Sequence, residues 1–327
     1  MFINYFIYLF VSFITLLLIC KISYKLNFVD IPNERKKHIK STAYTGGVAL
    51  SIIYIFSIFL FNVNYEQLNL ILSIGFLITI VGFIDDKYNL NVGGKLSLQI
   101  IPIIFLIVFE GLNLNQIGDY NYFKLRLNTF SVPFTLLSVI FLINATNYFD
   151  GLDGVLGITT LSVFGILYFL ISDDNIRLFI ANVTIPILIF MCFNFSIFNL
   201  PKIFLGDSGS LLLGFIISFT LIFIANEVLI HPILLAWSIS VFVYEFLTIN
   251  FIRLVKKKNI FQSGTDHFHH VLYEKTNSLF LVNFIISVLN IVCFVIGYIG
   301  FVYIGALASL ILFIVLFIVF FIIRLNF

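Results

Sequence analysis

One short stretch of the chain, NATNYFDGLDG at residues 144–154, carries two amides and two acids between long runs of Ile, Leu and Phe. Asn147, Asp150 and Asp153 are spaced by three, so on a helix they would share one face, and Asn144 would extend that face by a turn. Oxygen ligands of this kind suit Mg²⁺ or Mn²⁺. A polar turn that ends an apolar helix is the simpler alternative, but this composition is a costly way to build one.

A second acidic pair lies in GFIDDKYNL, where Asp85 and Asp86 follow an apolar run directly. Adjacent carboxylates repel each other unless a cation lies between them, so this pair indicates metal or phosphate chemistry. Lys95 follows in NVGGKLSLQ and could meet an anionic substrate. The alternatives are a solvated helix end for the acids and an ordinary loop-orienting lysine.

A third motif, FLGDSGSLLLG, places Asp207 and two small hydroxyl residues at the start of another apolar run. The N-terminus of a helix presents free N–H groups to anions, which would favour phosphate binding here. Asp207 and Ser208 are also good N-cap residues, so a purely structural role would explain the same residues.

A histidine cluster, DHFHH, contributes His267, His269 and His270. Metal-binding histidine pairs on helices are usually spaced by four, and the cluster has no cysteine nearby. Phosphate or nucleotide contact is therefore favoured over zinc, and a mildly basic surface loop is the alternative.

The composition determines which elements must position these residues. Of the 327 residues, 61% are hydrophobic and 10% are charged, whereas soluble domains carry about 25% charged residues. We expect an all-α, polytopic membrane protein with a single domain over residues 1–327. Because a span needs about 20 apolar residues, eleven spans are predicted, or ten if the short fourth and fifth are misread: 2–20, 46–62, 68–84, 97–110, 132–146, 155–171, 178–195, 210–225, 232–252, 280–298 and 302–323.

The distribution of lysine and arginine predicts the orientation. With eleven spans, every basic residue except Lys124, Arg126 and Arg177 falls on one side. That side should be cytoplasmic, with the N-terminus outside and the C-terminus inside. All the motifs lie on this side, in loops near 30–47, 85–96, 144–154, 202–210 and 253–279. A transport path would need polar groups near the bilayer midplane, and Glu245 is the main one inside a predicted span.

Taken together, these stretches resemble the polyprenyl-phosphate N-acetylhexosamine-1-phosphate transferases over roughly residues 28–275. The matching features are Asp-x-Pro-Asn-x-Arg-Lys-x-His with Gly46-Gly47, Asp85-Asp86, Lys95, Asn-x-x-Asn-x-x-Asp-Gly-x-Asp-Gly, Gly-Asp-x-Gly-Ser, Arg253 and His-x-His-His. The broken histidine run resembles the bacterial undecaprenyl-phosphate GlcNAc-1-phosphate transferase branch more than the branch that makes the muropeptide lipid. Departures from the pattern are Gly264 in place of an Asp before the histidines and Glu245 in place of an Asp in the ninth span.

The resemblance implies a reaction in which a polyprenyl phosphate attacks the β-phosphorus of a UDP-N-acetylhexosamine and releases UMP, with Mg²⁺ (or Mn²⁺) required. It implies metal ligation by Asn147 and Asp207. It also implies catalytic roles for Asp85, Asp86, Lys95, Asp150 and Asp153, and substrate binding by Asn144, Gly151, Arg253, His267, His269 and His270. Whether Asp85 or Asp86 is a general base stays open.

The expected partners are undecaprenyl phosphate, a UDP-N-acetylhexosamine (UDP-GlcNAc by default) and membrane lipid, with no nucleic acid. The expected location is the bacterial inner membrane with the site facing the cytoplasm, and a homodimer is left open. The rival hypotheses are a phospho-MurNAc-pentapeptide transferase or other donor within the same family, a lipid-linked-sugar flippase, and an inactive scaffold.

Overall fold

The computed structural model describes residues 2–31, 41–227, 230–258, 264 and 266–326. Most of the early basic motif, from Pro32 to His38, lies outside the described residues.

The described chain is built almost entirely of α-helices. In chain order they are α1 Phe2–Lys25, α2 Gly46–Leu60, α3 Glu66–Tyr88, α4 Val92–Ile104, α5 Ser131–Phe149, α6 Val155–Leu170, α7 Asp174–Asn194, α8 Gly206–Glu227, α9 Pro232–Ser238, α10 Ser240–Val255, α11 Phe268–Thr276, α12 Leu279–Tyr303 and α13 Ala306–Leu325. A π-helical turn, Phe105–Phe109, continues α4. Two antiparallel ribbons pair β1 Val29–Asp30 with β2 Thr42–Ala43, and β3 Gln116–Asp119 with β4 Lys124–Arg126.

The helices have the length and composition of a polytopic membrane protein. Among the described residues, eight helices are long and apolar enough to cross a bilayer, or nine if α9 and α10 form one span bent by 73°. The apolar helices α2 and α6 are shorter, at 15 and 16 residues. Every predicted span coincides with one of these helices or with the bent pair. The count of eleven and the orientation remain predictions, and the two ribbons and α11 were not anticipated.

Helix α8 forms the centre of the bundle and packs against α3, α5 and α2. Its residues from Ser208 to Ile224 are all buried. Glycines make the approach close: a methyl group at Gly47 would overlap the backbone of Gly209, and one at Gly82 would overlap the backbone of Asp207. Small residues allow such close helix packing in membranes. The N-terminus of α8 is therefore held against the C-terminal part of α3.

Short backbone pairing fixes the chain just before α8. Phe204 N–H donates to the Ala43 carbonyl at 2.7 Å, and Gly46 N–H donates to the Phe204 carbonyl at 2.9 Å. The next residue, Gly206, has a φ of +72°, and a methyl group there would overlap the Tyr44 carbonyl and the Asp86 carboxylate. A glycine is required at this turn because its backbone is left-handed and crowded.

Candidate active site

One large cavity, of about 1340 Å³, opens where the ends of α3, α5, α8 and α11 meet. Its acidic lining consists of Asp30, Asp85, Asp86, Asp150, Asp153, Asp207 and Glu274, and its basic lining consists of Lys87, Lys202 and His270. The structure therefore brings the four sequence motifs of acids, amides and histidines to one cavity. The lining carries more negative than positive charge, so an anionic ligand would need an added cation.

Lys95 joins two of the motifs. Its Nζ atom lies 2.6 Å from Asp85 Oδ2 and 2.5 Å from Asp207 Oδ2. The other Asp85 oxygen accepts the Leu90 N–H at 2.8 Å. Lys95 is thus a fixed positive charge between two carboxylates, and both oxygens of Asp85 are already engaged.

Asp86 has a different environment from its neighbour. Its two oxygens accept the backbone N–H groups of Asp207 at 2.9 Å and Ser208 at 3.2 Å. These N–H groups belong to the first turn of α8, which has no carbonyl partners for them within the helix. The cap of α8 is therefore a carboxylate supplied by α3, and not the Asp207 or Ser208 side chain that the sequence suggested.

Asn147 fixes the second oxygen of Asp207. Its Nδ2 atom donates to Asp207 Oδ1 at 3.0 Å and to Ser210 Oγ at 2.8 Å. Among the described residues, no hydrogen-bond partner reaches the side-chain amide oxygen, Oδ1, of Asn147. Asn144, one turn earlier, donates to the Ile140 carbonyl at 2.7 Å within its own helix and is not among the residues that line the cavity.

The environment of Asp150 differs from that of the other aspartates in the cavity. Among the described residues, no hydrogen-bond donor or cation reaches its carboxylate. Burial, together with the nearby charges of Asp207, Asp86 and Asp153, raises the pKa of the Asp150 carboxyl well above its usual range. A buried carboxylate among other carboxylates must take up a proton or a cation.

The predicted helical face of Asn147, Asp150 and Asp153 is wrong. Helix α5 ends at Phe149, and Gly154, with a φ of +82°, is the N-cap of α6. The polar turn separates the two acids: Asp153 Oδ2 lies 2.6 Å from Lys202 Nζ. The Asp153 carbonyl also accepts the Asn283 amide at 3.0 Å. Lys202 and Asn283 were missed in the sequence, where the one usable signal was a lone lysine five residues before Asp207.

The histidines approach the same turn from α11. A methyl group on Gly151 would overlap the ring nitrogens of both His269 and His270, so the imidazoles contact the Gly151 backbone directly. Both ring nitrogens of His269 are buried and have no hydrogen-bond partner among the described residues. Burial, and then the positive charge of Arg253, lowers the pKa of His267 to about 4.

Arg253 lies behind the histidines, outside the cavity lining. Its Nη2 and Nε atoms donate to Asp266 Oδ1 at 2.6 Å and Oδ2 at 3.1 Å. The guanidinium also lies over the Tyr148 ring at 5.7 Å. The structure therefore places Arg253 beside the histidine helix, where Asp266, the first residue of the DHFHH motif, holds it by a bidentate contact.

The donor set suits a hard divalent cation. Mg²⁺ prefers oxygen ligands and retains several waters, and the carboxylates of Asp150 and Asp207 with the free carbonyl oxygen of Asn147 supply such atoms. Among the described residues, no cluster of three His, Cys, Asp or Glu side chains has metal-cage geometry. The uncompensated charge of Asp150 is the observation that supports the fit.

Comparison with known proteins gives the relationship. Residues 68–225 match the model of glycosyl transferase family 4. This region of the chain resembles the members of that family. The match covers the acidic pair, Lys95, the NATNYFDGLDG turn and the GDSGS motif, and it confirms the family predicted from them.

Full-length relatives extend the match. The chain is 27% identical to an undecaprenyl-phosphate alpha-N-acetylglucosaminyl 1-phosphate transferase of Yersinia pestis, over 81% of this chain and 75% of the relative. It is 28% identical to a Bacillus subtilis protein with the name probable undecaprenyl-phosphate N-acetylglucosaminyl 1-phosphate transferase, over 86% of this chain and 83% of the relative. The Escherichia coli K12 relative has the same name as that of Y. pestis and is 27% identical over 77% and 71%.

Proposed function

We propose that this protein transfers N-acetylglucosamine 1-phosphate from UDP-GlcNAc to undecaprenyl phosphate. An oxygen of the acceptor phosphate forms a bond to the β-phosphorus of the donor. The bridging P–O bond breaks, its electron pair leaves with UMP, and the product is undecaprenyl-diphosphate GlcNAc. The names of the relatives point to the acceptor and the sugar, and the conversion is a membrane-lipid phosphotransfer.

The observation that carries the proposal is the arrangement around Asp207. One of its oxygens faces Lys95 and the other faces Asn147, while the uncompensated Asp150 stands nearby. The site is thus an acid cluster at the end of apolar helices, in which carboxylates hold the ammonium groups of Lys95 and Lys202. Such a cluster fits a reaction in which a cation and a diphosphate are brought to a lipid headgroup.

The residues of the chain position and neutralise charge. Asp207, Asn147 and Asp150 would hold Mg²⁺, which supplies neutralisation of the diphosphate and of the leaving phosphate. Lys95 holds Asp207 and Asp85 in place and adds a second positive charge near the transferred group. The imidazole of His270, which lines the cavity beside Gly151, would bind a donor phosphate oxygen, and His269 packs behind it.

A general base is not required. A phosphate monoester has a second pKa of about 6, so the acceptor is largely dianionic at neutral pH. Asp85 is engaged by Lys95 and by Leu90 N–H, and Asp86 is engaged by α8. Both acids act by holding Lys95 and Asp207 in place.

The setting follows from the charge pattern. With most lysines and arginines on the side of the site, the site faces the cytoplasm of the bacterial inner membrane. There a soluble nucleotide sugar and a lipid phosphate can meet. The product would begin synthesis of a lipid-linked envelope glycan, such as an O-antigen, common antigen or teichoic acid.

UMP release by purified protein tests the proposal. The reaction contains undecaprenyl phosphate, Mg²⁺ and one of UDP-GlcNAc, UDP-GalNAc or UDP-MurNAc-pentapeptide. We expect lipid-dependent and Mg²⁺-dependent UMP with UDP-GlcNAc and its loss in Asp207→Asn. Asp119→Asn is the matched control, because Asp119 pairs with Lys124 on the exposed β3–β4 ribbon. UMP from another donor would reassign the sugar, and no UMP from any donor by folded protein would refute the reaction.

A further inference from the structure

The last turn of α13 places a buried guanidinium against the histidine segment. Arg324 is 5% exposed. Its Nε atom donates to Glu245 Oε2 at 3.1 Å, and its Nη2 atom donates to Glu245 Oε1 at 3.4 Å. Nη2 also donates to the Asp266 carbonyl at 2.8 Å. Arg324 therefore connects α13 both to α10 and to the residue before the histidines.

Glu245, on α10, is the second member of this contact. It is wholly buried, and its Oε1 accepts the backbone N–H of Phe268, the first residue of α11, at 2.8 Å. A carboxylate at a helix N-terminus satisfies a free N–H group and complements the helix dipole. Because an isolated buried carboxylate is strongly unfavourable, Arg324 is what allows Glu245 to serve this end of α11.

Apolar packing reinforces the same junction. The Phe268 ring lies 5.6 Å below the Arg324 guanidinium and 5.3 Å from the Phe320 ring of α13. The N-terminus of α11 is thus docked on α10 and α13 by hydrogen bonds, an ion pair and the packing of the Phe268 ring. The next residues along α11 are His269 and His270, which contact Gly151 beside Asp150.

We infer that Arg324 and Glu245 are positioning residues that hold α11, and with it His269 and His270, in register with the Gly151 turn. The expected effect on catalysis rests on the proposed function, whereas the docking of α11 rests on the contacts alone. Both helices that supply these residues lie outside the 68–225 region matched to the family model. Glu245 occupies a position at which the resemblance expects an Asp, whereas Arg324 lies beyond the stretches that carry the resemblance.

Hydrogen exchange measures the structural part without any substrate. Full-length Arg324→Met, Arg324→Lys and Glu245→Gln are compared with Arg126→Met, which removes an exposed arginine from β4. In Arg324→Met we expect amide exchange over residues 266–276 to rise by about 10-fold or more, because local opening free energies are small at such junctions. Exchange over residues 206–214, in α8, should stay unchanged. Arg324→Lys should show partial rescue, because an ammonium retains the charge but not the fork of donors.

Kinetics on the same proteins measure the functional part. Because a displacement of about 1 Å costs up to roughly 100-fold in rate, we expect kcat/KM for UDP-GlcNAc to fall by about 10- to 100-fold in Arg324→Met. The KM for undecaprenyl phosphate should change little. Glu245→Gln should cost less, since its amide oxygen still accepts the Phe268 N–H. The double variant Glu245→Gln, Arg324→Met should lose less kcat/KM than the two single variants lose together, because it leaves no buried carboxylate unpaired.

The outcomes separate the two proposals. Unchanged exchange over residues 266–276, or an equal rise in α8, would overturn the positioning role. So would an equal loss of efficiency for donor and acceptor. A selective rise in exchange in a protein whose unsubstituted form releases no UMP from any donor would support the docking of α11 and refute the proposed reaction.

Discussion

Substituting Asp86 separates a capping role from a chemical one. In Asp86→Ala, the N–H groups of Asp207 and Ser208 lose their acceptor, and Ser208 is fully buried. Each unsatisfied buried N–H costs about 1–3 kcal/mol, so Asp86→Ala should destabilise the fold by about 2–6 kcal/mol. Asp86→Asn keeps one acceptor oxygen and loses the other with its charge, so about half that cost is expected, or roughly 1–3 kcal/mol.

The assay pairs a thermal unfolding midpoint with turnover. The midpoint, followed by the fluorescence of Trp237 in detergent, should fall by several degrees in Asp86→Asn. Because the cap sets the position of Asp207, turnover should fall by about 10- to 100-fold. Asp173→Ala is the matched control: Asp173 Oδ1 accepts the N–H groups of Asn175 and Ile176 at the start of α7, and removing such an N-cap costs about 0.5–2 kcal/mol. It should lose comparable stability while keeping near-normal turnover.

The opposite pattern would refute this account of Asp86. A general base contributes about 10²- to 10⁴-fold to the rate. If Asp86→Asn kept the unsubstituted midpoint and lost turnover by that much, its carboxylate would be acting on the substrate. If Asp86→Asn and Asp173→Ala lost stability and turnover alike, the loss of activity would report unfolding and not the position of Asp207.

Three further predictions concern the same site. Lys95→Met leaves Asp85 and Asp207 without their shared ammonium group, and kcat/KM measured at saturating Mg²⁺ should fall by about 100-fold or more; near-normal kcat/KM would exclude Lys95 from charge stabilisation. Gly151→Ala inserts a methyl group into the space of His269 and His270, so donor KM should rise while Gly165→Ala, which meets nothing, should leave it unchanged. Burial lowers the pKa of His267 to about 4, so between about pH 6.5 and pH 4 the unfolded chain binds a proton at this side chain and the folded chain does not. The thermal unfolding midpoint should therefore fall as the pH is lowered from 6.5 toward 4, and His267→Gln should make that fall smaller.

The sequence alone was enough to predict a polytopic membrane protein, the positions of its helices and the residues that meet at the candidate site. Apolar runs of helical length locate the helices because the bilayer leaves few alternatives. The acids, Lys95 and the histidines were identified because charged and polar groups at the ends of such runs are costly without a use. Their convergence around Asp207 required only that the motifs lie at one end of the bundle.

The partners of those residues could not be predicted. Asp85 and Asp86 are adjacent and chemically identical, yet one pairs with Lys95 and the other caps α8. That difference depends on the glycine contacts that press α8 onto α3, which involve residues more than 120 positions apart. The helical face proposed for Asp150 and Asp153 failed because the glycines after each acid permit a turn that spacing alone does not reveal. Arg324 gave no signal, since a basic residue ending a span is ordinary.

The different partners of the aspartates bear on how an acid-rich site would bind the proposed diphosphate donor. Asp86 is hydrogen-bonded to two N–H groups of α8, Asp153 pairs with Lys202, and Asp85 and Asp207 share Lys95. Asp150 alone lacks a partner among the described residues, so the protein's own groups leave the cluster negative. An anionic donor would be repelled from it unless a divalent cation arrived as well. In the proposed reaction, binding of the nucleotide sugar and of the cation would therefore be coupled.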